Sequence, residues 1–426
     1  MQKQGTGTDP ANDNHMHFPF KPFMLSSAKW SLLPVALLVA AHCAAQDVEN
    51  ADTIPPRSEN QHSSKGFILA TPDGKYELQL AARLQFRFTT PFDQDPLTYD
   101  DFSDQGTTAF KVNRARLKIG GHAYEPWLKY YFEYEMGRGN LLDLRVMVER
   151  YKGLSLKVGQ WKTQYNRERM ISSGEQQMVE RSLINRPFTL DRQQGVEVYG
   201  HLDGSGMANV NYWLSALTGT GRGARDNDDR HLMYEARLQW NPLGRVVKLN
   251  GSDQERTPKP AALLAVGGAT NRSRYTRFSQ AGGGALEGLP DTDTSLYDVE
   301  QIMVETAFKY KGFSWQHESH WKHIDDRHGG GTRDLVGSYV QAGYFLHGSF
   351  PGIPKALELA ARYAFHQPDS SVPGDLQNEY TAVVNWFFAA GHKNKLSVEY
   401  SLITFEQQDL ARAEGSRVRL QWDISF

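Results

Sequence analysis

The chain has 426 residues, a formal net charge of −2, 23% charged residues and 12% aromatics. So small a net charge gives no reason to expect nucleic acid as a partner, and no stretch supplies the ~20 consecutive apolar residues of a membrane-spanning helix. A wall of strands is not excluded, because residues facing lipid and residues facing water alternate along it and average out.

The longest apolar run, Leu32 to Ala41, is broken by Pro34 and preceded by Lys29. It is too short to span a bilayer and has the flanks of a secretory signal peptide. Small residues at Cys43-Ala44-Ala45 place the mature start near Gln46, and Met24 is a better initiator than Met1 because it puts Lys29 in a short positive segment. Residues 1–45 are therefore expected to be a signal peptide with an upstream extension. Cys43 is the single cysteine, so the mature chain has no disulfide framework and no thiol chemistry. Residues 46–65 are polar, contain Pro55-Pro56, and read as a flexible periplasmic leader.

Alternation then begins and continues to the end of the chain. From Tyr76 to Thr89, Tyr76, Leu78, Leu80, Ala82, Leu84, Phe86 and Phe88 share one face, while Glu77, Gln79, Arg83, Gln85 and Arg87 share the other. Phe110 to Tyr124, Trp127 to Met136 and Leu141 to Tyr151 repeat the pattern, with Leu142 and Leu144 on the apolar side of the last. Later copies lie at 232–240, 302–310, 357–365, 380–388 and 396–402, with a blurred one near Lys259 to Gly268. The final segment, Ser416 to Phe426, sets Val418, Leu420, Trp422, Ile424 and Phe426 against Arg417, Arg419, Gln421 and Asp423. A strand with one apolar and one charged face suits a wall between lipid and water.

Connections alternate in length. Short ones carry turn residues, as at Tyr151-Lys152-Gly153, Asp203 to Gly206, Asn241 to Gly244 and Lys311-Gly312. Longer ones lie around Thr90 to Thr108, Lys162 to Arg192, Leu217 to Arg230 and Thr270 to Asp298. Short turns on one rim and long loops on the other describe an all-β transmembrane antiparallel β-barrel over residues 66–426, with about 16 strands.

Several segments resemble the phosphate-selective porin O and P family. Arg114-Ala115-Arg116-Leu117 is similar to its early basic strand, and Gly159-Gln160-Trp161-Lys162-Thr163 to the element leading into its long third loop. Glu180-Arg181-Ser182 and Asp191 to Val196 resemble that loop's exit, and Ser338 to Leu346 resembles a later strand. The resemblance implies a sixteen-stranded outer-membrane channel, a homotrimer, with the third loop folded into the pore. The terminal aromatic strand ending in Phe426 itself resembles the assembly signal of bacterial outer-membrane barrels, so the barrel assembly machinery is an expected partner.

Transport through a water-filled lumen needs no catalytic residue and no cofactor, so the charges that line it set selectivity. Arg83, Arg87, Arg114, Arg116, Lys118, Lys129 and Arg145 fall on the inward face, and the long loop adds Lys162, Arg167, Arg169 and Arg181, with Arg186 and Arg192 beyond. Guanidinium groups bind phosphate oxygens in a fork, so the partners expected are small anions such as phosphate. Glu133, Glu135, Asp143 and Glu149 share the wall and can neutralise these bases pairwise. A general diffusion porin therefore stays open as the alternative.

Other chemistry is less well supported. A strand through His317, His320 and His323 puts His320 opposite the other two, so one metal ion cannot collect all three. Asp226, Asp228 and Asp229 lack the ligand spacing of a calcium loop, and Gly219-Thr220-Gly221-Arg222-Gly223 lacks the helix a nucleotide loop requires. No motif singles out the serine, histidine and acid of a barrel hydrolase, so no enzyme is expected. A soluble secreted carbohydrate-binding β protein is the remaining alternative, distinguished by failure to extract with outer-membrane detergent.

Overall fold

The computed structural model describes residues 60–63, 66–102, 106–204, 206–224, 226–279, 283–407 and 410–426. The expected signal peptide, the cleavage site near Gln46 and most of the leader lie outside these residues. The end of the leader forms β1 (Asn60–Ser63), which makes a hairpin with β2 (Gly66–Ala70).

Sixteen further strands follow. The first half comprises β3 (Glu77–Thr90), β4 (Ala109–Ala123), β5 (Glu125–Glu135), β6 (Asn140–Tyr151), β7 (Leu154–Lys162), β8 (Arg192–Asp203), β9 (Asn209–Leu217) and β10 (Met233–Trp240). The second comprises β11 (Ala261–Ser273), β12 (Tyr297–Tyr310), β13 (Phe313–Asp326), β14 (Gly331–Tyr344), β15 (Leu357–Gln367), β16 (Leu376–Phe387), β17 (Asn394–Glu406) and β18 (Ala413–Ser425). Each pairs antiparallel with the next, and β18 pairs with β3, so β3 to β18 close into a barrel.

Polarity is inverted relative to a water-soluble sheet. In β18, Arg417, Arg419, Gln421 and Asp423 are at most 4% exposed, whereas Val418, Leu420 and Trp422 are 40–43% exposed. The same inversion recurs in β10, where Glu235, Arg237 and Gln239 are buried and Tyr234, Leu238 and Trp240 are exposed. Apolar residues turned outward on strand after strand are costly in water and favourable in lipid. Among the described residues no helix is long and apolar enough to cross a membrane.

Two bulges adjust the simple alternation. The β3–β4 register shifts between Gln85 and Phe86, where Asn113 is the extra residue, so Asn113 and Arg114 both turn inward. The β5–β6 shift between Glu133 and Tyr134 turns Leu142 inside at 4% exposure, against the expectation that it joins the outer face. The expected short turn at Asn241 is also corrected: it opens a long connection, residues 241–260, and the blurred strand is Ala261–Ser273. Tight packing blurred that strand's pattern, because Val247 from the connection packs with Ala261, Leu263, Ala265 and Ala307 on the inside.

Closure ends on the last residue. The Ala82 N–H donates to the Phe426 carbonyl (2.8 Å) and the Phe426 N–H to the Ala82 carbonyl (3.1 Å). Below that point the same edge of β3, Glu77 to Leu80, pairs with β2 instead. Deleting Phe426 removes two main-chain hydrogen bonds, about 1–3 kcal/mol in all. The deletion variant is expected to convert from folded to unfolded mobility in detergent electrophoresis at a lower temperature than the full chain. An unchanged conversion temperature would show that closure does not depend on this pair.

Candidate functional site

The connection between β7 and β8, residues 163–191, holds two single-turn helices, α1 (Arg167–Met170) and α2 (Asn185–Phe188). Its backbone is held by carboxylates on the inward faces of distant strands. The Arg167 N–H donates to Glu305 (3.1 Å), that of Glu168 to Glu318 (2.6 Å), that of Val179 to Glu399 (2.7 Å) and that of Leu183 to Glu379 (2.8 Å). Glu358 takes the Gln177 side chain at 2.6 Å. Hydrogen bonds to ionised acceptors contribute about 1.5–3 kcal/mol each. The segment also shares an apolar core with this half of the wall: Tyr165, Ile184, Phe188 and Leu190 pack among Met303, Leu335, Tyr339 and Ala364.

The connection 241–260 supports the segment from the other rim. The Gly251 N–H donates to the Glu175 carbonyl (2.7 Å), Ser252 Oγ donates to Glu358 (2.7 Å), and the Arg167 guanidinium bonds the Lys248 carbonyl. A side chain at Gly251 would collide with the Gln177 backbone, its Cβ falling 2.4 Å from the nitrogen. Only glycine permits so close an approach.

On its other side the segment faces β3 and β4 across a cavity of about 490 Å3. Twelve bases line it: Arg87, Lys111, Arg114, Arg116, Arg138, Lys162, Arg169, Arg181, Arg186, Arg192, Arg222 and Arg419. Five acids oppose them: Asp93, Asp95, Glu135, Glu180 and Asp191. A smaller cavity of about 300 Å3 towards the rim of the chain ends contains Arg83, Lys118, Lys393 and Glu175. Arg83 donates to Ser172 Oγ (2.9 Å) and Ser173 Oγ (2.6 Å), and Ser173 lines the larger cavity while Ser172 lines the smaller.

Of the eleven bases singled out from the sequence, Arg87, Arg114, Arg116, Lys162, Arg169 and Arg181 line the larger cavity, and Arg83 and Lys118 the smaller. Three lie elsewhere. Arg167 turns to the far wall and bonds Gln316 (3.3 Å). Lys129 is half exposed and pairs with Glu149 (2.6 Å), and Arg145 pairs with Asp143 (3.2 Å) over the Tyr131 ring. Lys111, Arg138, Arg222 and Arg419 join the cavity without having been singled out. Arg419 sits on the charged face of the last strand and was legible there. Lys111 has the wrong parity relative to Arg114 and faces inward only because of the bulge at Asn113. Arg138 and Arg222 lie in connections, which carry no periodic signal.

Cross-strand neutralisation is extensive, as the sequence suggested. Arg116 bonds Glu133 (2.8 Å) and Glu135 (2.7 Å), and Arg192 bonds Asp143 (2.6 Å). Loop carboxylates add to it: Glu180 bonds Arg87 (2.6 Å) and Arg114 (3.1 Å), Asp95 bonds Arg417 (2.5 Å), and Asp93 pairs with Lys111. Lys162 and Arg181 differ. Lys162 donates to the Met170 carbonyl (3.1 Å), Arg181 to those of Glu168 (3.0 Å) and Ile171 (2.8 Å), and among the described residues neither has a carboxylate in ion-pair range. Burial and the neighbouring Arg169 and Arg114 push the Arg181 guanidinium well below its ordinary value. Burial alone would raise Glu180, but Arg114 and Arg87 hold its carboxyl well below the usual range.

A closed sixteen-stranded barrel, apolar outside and charged inside, is the architecture of a channel in the outer membrane of a Gram-negative bacterium. The profile of the family described as phosphate-selective porin O and P matches residues 83–426, and the chain belongs to that family. No curated protein matches by sequence. Solved structures share the fold. The anion-selective porin from Comamonas acidovorans has 10% identity and a TM-score of 0.54, covering 82% of this chain and 100% of that one. In-vitro folded OmpT, an outer membrane protein of Vibrio cholerae, has 10% identity and a TM-score of 0.54 over 83% and 98%. The outer membrane channel DcaP of Acinetobacter baumannii has 12% identity and a TM-score of 0.52 over 84% and 99%.

Burial pushes Glu168 up from the ordinary 4.5 to about 7; Arg362 opposes the shift and Glu318 adds to it. A released Glu168 ionises near the ordinary value while the docked one holds its proton. The contribution of Glu168 to docking is therefore largest below about pH 4.5, falls as the pH rises to about 7 and is level beyond. Amide exchange of residues 163–191, corrected for its intrinsic pH dependence, is expected to accelerate over that window. E168Q is expected to abolish the acceleration.

Proposed function

We propose that this porin passes small anions, phosphate among them, along the basic half of its wall. In this reading, residues 163–191 lie in the lumen and narrow it, and Lys162 with Arg181 forms the centre of the constriction. The observation that carries it is the lining of the larger cavity, twelve bases against five acids. Guanidinium and ammonium groups without a carboxylate partner retain a field for a passing anion, and several in succession let it move from one to the next. Binding at each step has to stay weak enough for release. Family membership and the anion selectivity of the Comamonas porin point the same way, and the family likeness extends the reading to a homotrimer of independent pores.

Planar-bilayer recording under a potassium chloride gradient tests it. The wild type is expected to give an anion-directed reversal potential, with chloride current reduced by added phosphate. K162Q with R181Q is expected to move the reversal potential towards zero and to raise the half-blocking phosphate concentration by about tenfold or more. Ohmic conductance with no selectivity and no block would mean that the carboxylate pairs neutralise the wall, making the protein a general diffusion porin.

A further inference from the structure

Glu180 stands apart from the other acids of the segment. Its backbone neighbours are fixed to the far wall, through the Val179 N–H on Glu399 (2.7 Å) and the Leu183 N–H on Glu379 (2.8 Å). Its own carbonyl accepts from Arg362 (2.9 Å). Only the side chain crosses the cavity, to Arg87 Nη2 (2.6 Å) and Arg114 Nη2 (3.1 Å for Oε1, 3.4 Å for Oε2). It is 23% exposed, so water and solute reach it.

Two guanidiniums converging on one carboxylate make the geometry that binds an oxyanion, and a carboxylate oxygen occupies it. Because the backbone is pinned independently, the side chain can rotate away without undocking the segment. We propose that Glu180 is a specificity-determining residue: a tethered competitor that keeps Arg87 and Arg114 from univalent anions and yields them to polyvalent oxyanions. The proposal rests on the anion reading above but has its own test. Chloride, a single weakly bound charge, does not displace a tethered carboxylate. A phosphate dianion, with more charge and several acceptor oxygens, does. The role of Glu180 is then to exclude the commoner ion.

Single-channel recording of E180Q in the full-length porin is the experiment, with folding checked by heat-modifiable mobility. E180Q is expected to raise chloride conductance, shift the reversal potential further towards anions, and lower the half-blocking phosphate concentration by about tenfold. E180D, whose shorter arm loses one of the two arginines, should fall between. R114Q in the E180Q background should cancel the gain. An unselective wild type that becomes anion-selective as E180Q supports the competitor while overturning the native selectivity proposed above. An anion-selective wild type with unchanged chloride conductance and phosphate block in E180Q overturns the competitor and leaves the selectivity standing. Loss of phosphate block in a folded E180Q also overturns it, since Glu180 would then be part of the binding site.

Discussion

Carboxylates on one half of the barrel's inner wall accept hydrogen bonds from the backbone of residues 163–191, and the arrangement of the other charges depends on this. Glu305, Glu318, Glu379 and Glu399 each take a main-chain N–H, and Glu358 takes the Gln177 amide. These acids are essentially inaccessible to solvent. A buried carboxylate without partners is costly, so the segment and the acidic wall satisfy each other. Among the described residues, Glu399 alone of these acids reaches an arginine of β3, β4 or β18, Arg419 at 3.4 Å, while Glu305 pairs with Arg237 and Glu379 with Arg362. The larger cavity is lined by no residue of β12 to β17, so its bases and most of these acids lie on different strands.

The apolar core reinforces that division. Trp161, Tyr165, Phe188, Met303 and Tyr339 belong to a buried apolar cluster that runs along β7 and β9 to β15. The connection 241–260 buttresses the same side from the other rim. The larger cavity is bounded by the basic strands on one side and by the polar edge of the segment on the other.

Much of this was legible in the sequence. Strict alternation set the barrel, the facing of each strand and the count of sixteen, because lipid and water impose opposite demands on successive residues. Departures came from three physical sources. Bulges move parity by one, which reversed Leu142 and brought Lys111 inside beside Arg114. Long-range packing made a folded connection out of what began as a turn at Asn241. Arg167 was misplaced because loop residues have no period to orient them. A usable sign went unread: Glu305, Glu318, Glu358, Glu379 and Glu399 each fall at a buried, polar-face position of a late strand. Acids recurring there indicate something within the barrel for them to hold.

The contacts of residues 163–191 also have a consequence in time. The segment follows β7, but its anchors belong to β12 through β17, which are synthesised later. β3 and β18 complete the circle at the two extremes of the barrel sequence. The segment is therefore made before the carboxylates it bonds, and its backbone N–H groups wait for those acceptors until β12 to β17 have followed.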